Sequence, residues 1–119
     1  MKEELISFET AKLAKEKGFN EPQFNDYLNE QLEKYTSKST HEQCIEEYYL
    51  APTQGLLQKW LRDIYNIDVE APLVYRLNTR KYQVRIYRHN TKIILSTFHY
   101  YNTYEEALEE GLYQALLLV

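Results

Sequence analysis

The chain has 119 residues, 44% hydrophobic and 27% charged, with a formal net charge of −4. That composition fits one soluble globular domain, large enough to bury a core without metal or disulfide support. The single cysteine, Cys44, excludes an intrachain disulfide and fits a reducing, cytoplasmic setting.

The amino terminus, Met-Lys-Glu-Glu-Leu-Ile-Ser, is too charged for a signal peptide, and the longest aliphatic run, Ala115 to Val119, is too short to cross a membrane. Ser7 then caps a predicted helix that runs to about Lys17. Glu9 in its first turn and Lys12, Lys15 and Lys17 after it match the helix dipole. Gly18 supplies the left-handed stop, and Phe19 can fold back onto Leu13 or Ala14. Phe8, Ala11 and Ala14 form a thin apolar stripe.

Residues 20–52 carry a weaker pattern. Phe24 to Leu28 and Leu32 to Thr36 fit one helix, which propensity slightly favours, or two strands around Asn29-Glu30-Gln31. Thr36 to Thr40 reads as loop, and His41 to Tyr49 as a short helix or an extended arm. Pro52 then sets an extended approach to a helix for which Thr53 is the candidate cap. Leu56, Leu57, Trp60, Leu61 and Ile64 give that helix one apolar face, and it ends near Asn66.

A β region follows. Leu73 to Leu77 alternates, Asn78-Thr79-Arg80 is the expected turn, and Lys81 to Tyr87 keeps a period of two over seven residues. His89-Asn90 predicts a second turn, and Ile93 to Tyr100 a third strand. Thr103-Tyr104-Glu105-Glu106 is a capping box that opens the last helix. Leu108, Gly111, Leu112, Ala115, Leu116 and Val119 form its stripe, with Gly111 placed for a close approach to a strand. No repeat or linker interrupts the chain. The expected architecture is a single α+β domain over residues 1–119. An antiparallel sheet of three or more strands packs on helices, in the order α-β-β-β-α from residue 53.

Charge is distributed unevenly along this order. Ala71 to Tyr104 holds six cations, Arg76, Arg80, Lys81, Arg85, Arg88 and Lys92, and no acid. The remaining 8 of the 14 Lys+Arg stand against all 18 Asp+Glu, a net of −10 outside the block. If Tyr82, Val84 and Ile86 face the core, Lys81, Gln83, Arg85 and Tyr87 face outward together, and Arg76 on the neighbouring strand can join them. Cations interleaved with aromatic rings suit phosphates and exposed bases. Arg76, Lys81, Arg85 and Tyr87 are therefore the candidate nucleic-acid-binding residues. Their plain alternatives are a solvated sheet face or a contact with protein. Twelve tyrosines, clustered at Tyr48-Tyr49 and Tyr100-Tyr101, serve a sheet core or a binding face equally well.

The α-β-β-β-α order resembles double-stranded RNA binding domains in topology alone. That family grips phosphate with lysines at the start of its last helix, where this chain places Glu105, Glu106, Glu109 and Glu110. Those carboxylates oppose that mode. His41, Cys44, Glu46 and Glu47 lie close in sequence but lack a paired ligand spacing, so no metal is expected. With three glycines there is no phosphate-cradling loop, and neither a cofactor nor an enzyme is expected.

Three stretches carry a resemblance: Ile6 to Phe19, Ala51 to Arg62 and Thr103 to Leu112. Together they resemble a family of small uncharacterised proteins from phages and mobile elements of Bacteroides-type gut bacteria. The resemblance spans nearly the whole chain and implies a setting, with no catalytic residues to carry over. It also implies a β-hairpin over residues 24–36, although the Asn29-Glu30 turn lacks the glycine such a turn prefers. The functional expectation is a non-catalytic accessory protein that binds a macromolecule, with an unidentified protein partner. One alternative is a nucleic-acid-binding module using the sheet face. Another is an acidic inhibitor or antitoxin-like protein that mimics nucleic acid.

Overall fold

A computed structural model describes residues 4–21, 23–28, 31–39, 48–88, 92–96 and 99–119. Its packing divides into two compact units, Met1–Thr53 and Gln54–Val119. Both combine helices with antiparallel strands, so the chain is α+β.

In the first unit, helix α1 spans Phe8–Glu16. The Ser7 hydroxyl accepts the Thr10 amide at 3.3 Å, as a cap should. Gly18 stands at φ +96°, and the Phe19 amide donates back to the Ala14 carbonyl at 3.0 Å. This is the glycine stop read from the sequence. Strands β1 (Gln23–Leu28), β2 (Gln31–Ser39) and β3 (Tyr48–Leu50) form an antiparallel sheet in the order β2-β1-β3. Residues 24–28 and 31–36 are therefore strand, as the resemblance implied and against the slight helix propensity. β1 lies between two partners, and ladder hydrogen bonds on both edges outweigh a local preference. β2 also takes in residues 36–39, read as loop. The Phe8 ring meets Tyr49 edge-on at 5.6 Å, and the Lys15 ammonium lies 5.0 Å from the Tyr49 ring centre. Ile6, Ala11, Ala14, Phe19 and Leu50 are buried.

The second unit holds the longer amphipathic helices. Helix α2 is Gln54–Tyr65 and helix α3 is Tyr104–Leu117. Thr103 caps α3 through the Glu106 amide at 3.1 Å, which realises half of the predicted box. On α2, Leu57, Trp60 and Leu61 are buried, whereas Ile64 is 59% exposed and belongs to no core. Thr53 stands directly before the helix, where the cap was expected, and forms an isolated bridge with Leu5. Asn66 ends the helix at φ +58°, a left-handed stop that asparagine tolerates.

Among the described residues five strands separate these helices, where the expected order had three and allowed more. They are β4 (Ile67–Glu70), β5 (Leu73–Arg76), β6 (Thr79–Tyr82), β7 (Arg85–Arg88) and β8 (Lys92–Ser96). β4, β7 and β8 make a three-stranded antiparallel sheet in the order β4-β7-β8, and β5 and β6 a separate hairpin. Ile67, Val69, Val84 and Ile86 are buried, as is the α3 stripe of Leu108, Leu112, Ala115 and Leu116. Gly111 makes the close approach its position predicted. A Cβ there would lie 2.7 Å from Val69 Cγ1 and 3.1 Å from Val84 Cγ1. Gln54 is a buried polar residue with no warning in the sequence. Its amide donates to the Glu105 carbonyl at 3.0 Å and to Glu109 Oε1 at 3.1 Å, joining the two helices. No helix among the described residues is long and apolar enough to cross a membrane.

Candidate nucleic-acid interface

The predicted strand Lys81 to Tyr87 is two strands, interrupted at Gln83-Val84. The register explains why the sequence conceals this. Glu70 pairs with Arg85 at the end of one ladder, and Leu73 with Tyr82 at the start of the next. Both strands advance by three residues, so pairing resumes in phase and the apolar alternation runs straight through. Pro72 lacks an amide proton and cannot join a ladder. Its carbonyl instead accepts the Gln83 amide at 3.0 Å. Residues 67–88 thus form one β-ribbon whose inner half belongs to a three-stranded sheet and whose outer half is a separate two-stranded hairpin. The hairpin base is tied to the unit by Tyr82 and Tyr101, which exchange backbone hydrogen bonds of 2.9 and 2.8 Å.

The turn lies one residue earlier than expected. Arg76 pairs with Thr79, leaving Leu77-Asn78 as the two-residue tip. Both stand in left-handed backbone, at φ +51° and +63°. That is the turn geometry that matches strand twist, and it usually employs Asn-Gly. Leu77 at the first position is 96% exposed.

The structure brings two of the four predicted residues together. Arg76 and Lys81 share one hairpin face by alternation. The Arg76 guanidinium lies 5.0 Å from the Tyr100 ring centre, and the Lys81 ammonium donates to Asn102 Oδ1. Arg85 and Tyr87 belong to the other ladder, where Arg85 is opposite Glu70 and Tyr87 opposite Asp68. Asp68 also lies 3.9 Å from Arg62 of α2. Directly opposed side chains share a sheet face. The expected continuous basic face is therefore interrupted: its inner half meets carboxylates from β4.

Sequence reasoning missed several members of the outer half. Arg80 is exposed opposite Tyr75, itself 69% exposed. Tyr82 meets Tyr104 edge-on at 6.1 Å. The absence of acid from residues 71–82 was the available signal for this hairpin. None of its cations faces a carboxylate across the ladder: Arg76 pairs with Thr79, Arg80 with Tyr75 and Lys81 with Val74.

Among the described residues no group of three or more His, Cys, Asp and Glu is placed to hold a metal. His41, Cys44, Glu46 and Glu47 lie outside those residues, as does the predicted turn at His89-Asn90. In comparison with known proteins, no family model, no curated protein and no solved structure matches the chain.

Proposed function

We propose that this chain is a non-catalytic accessory protein of a phage or mobile element, acting in the host cytoplasm by binding nucleic acid through the β5–β6 hairpin. The setting rests on the three stretches described above. The binding reading rests on one observation: the hairpin's cations have no carboxylate opposite them, while Arg85 has Glu70. A cation with no carboxylate opposite it attracts polyanions more strongly than one that faces a carboxylate. The acidic-mimic reading is weaker. Two carboxylates of its α3 cluster already accept side-chain amides, Glu109 from Gln54 and Glu110 from Gln114.

Fluorescence anisotropy with labelled single- and double-stranded oligonucleotides tests the reading. Three phosphate contacts predict an affinity loss of about 40-fold between roughly 50 and 200 mM salt. Arg76→Glu with Arg80→Glu should abolish binding while the protein stays folded, since both residues are exposed. Arg85→Glu should change affinity far less. No binding at low salt would remove the reading and leave a protein partner.

A further inference from the structure

We propose that the hairpin tip is a wedge for duplex DNA. Leu77 inserts between base steps from the minor groove, while Arg76 and Arg80 hold the flanking phosphates. This rests on the nucleic-acid reading above and specifies its substrate.

The hairpin tip carries a conformational cost that no contact within the fold offsets. A bulky residue in left-handed backbone is disfavoured, and Leu77 holds φ +51°. Burial would offset that cost, but Leu77 is 96% exposed. Glycine or asparagine would make the same turn more easily. The backbone closes the turn, but a leucine side chain held there and packed on nothing in the fold points to a role outside it. Unstacking a base step calls for a single apolar side chain on a narrow, rigid, cationic support. The tip supplies these: Leu77 at the apex, Arg76 one residue before it and Arg80 three after, on a two-stranded ribbon.

Length and charge agree. Four residues per strand extend the tip about 13 Å from the hairpin base, further than the minor groove's depth of about 7.5 Å. The carboxylates of Glu105 and Glu106 follow Tyr104, whose ring packs on Tyr82 at that base. They therefore repel phosphate at the base. At the tip their field is screened over a Debye length of about 8 Å. A membrane is the poorer partner, because one leucine beside Asn78, Thr79 and two arginines buries too little apolar surface for anchoring.

The test uses a short DNA duplex carrying a donor and an acceptor dye at its ends, with the intact chain. The wild-type protein should bind the duplex in preference to single strands and raise transfer efficiency, because a wedge kinks the helix. Leu77→Gly should melt no lower than wild type, bind about tenfold more weakly with an unchanged salt slope, and leave the duplex straight. Leu77→Met should restore the kink. A duplex kinked equally by Leu77→Gly, wild-type binding without a kink, or a preference for single strands would each overturn the wedge while sparing the nucleic-acid reading. Binding to anionic vesicles, lost in Leu77→Gly, with none to DNA, would overturn both.

Discussion

The two halves of the residue 67–88 ribbon share one register and one alternation, yet they meet opposite fates. In the inner half, Val69 and Ile86 are paired and fully buried, and Arg85 and Tyr87 stand opposite Glu70 and Asp68. In the outer half Leu73, Tyr75 and Leu77 are 45%, 69% and 96% exposed, and no cation faces an acid across the ladder. The same backbone pairing thus yields a neutral supporting sheet and a cationic projecting arm. What differs is the neighbouring strand. Charge counted along the chain cannot see this, because Asp68 and Glu70 precede the basic block in sequence and join it only through pairing.

Parallel substitutions should separate the halves most widely. Leu112 is fully buried in the α3 stripe of the unit that holds the inner sheet. Leu112→Ala is expected to cost about 2–5 kcal/mol in denaturant melts. Leu77→Ala removes the same atoms from the arm's apex and should stay within about 0.5 kcal/mol of wild type. Similar losses at both sites would erase the distinction between core sheet and free arm. Gly111→Ala comes next. Its Cβ would arrive 2.7 Å from Val69 Cγ1, so the helix or the valine side chains beneath it must shift, at a cost of about 1–3 kcal/mol. The gain in helix propensity, about 1 kcal/mol, offsets part of that. A stabilised variant would mean that α3 sits further from the sheet than this contact requires.

The sequence made the helices legible because their signals are local. Ser7 and Thr103 cap where their side chains predict, and the stripe on α3 is buried. Gly111 was readable as a close approach because glycine in mid-helix costs stability and needs a reason. The strands were legible in alternation but not in connection. Nothing local at Gln83 marks the change of partner from β5 to β4, and the strand-breaking Pro72 lies on the opposite strand. For the candidate site, the cationic block and Arg76 with Lys81 were visible. Tyr100 and Asn102 were not, since they reach the hairpin from across the β8–α3 connection. Leu77 was counted as the end of a strand, and only the backbone angle identifies it as a tip.

The smallest expected effect probes the joint between arm and body. Tyr101 pairs with Tyr82 at the hairpin base, and its phenol is half-buried. Burial, and secondarily the Glu110 carboxylate, push its pKa upward, because both disfavour a phenolate. The folded protein therefore holds the phenol's proton more tightly than the unfolded chain. The contribution of Tyr101 to stability is complete below the unfolded value of about 10 and is lost as pH rises through the higher folded value. Tyr101→Phe has no such proton to lose. Across pH values of about 8 to 11, the stability of the variant relative to wild type should rise with pH in matched denaturant melts. A difference that stays flat would place Tyr101 in the same environment folded and unfolded, and the joint at the arm's base would then lack this buried support.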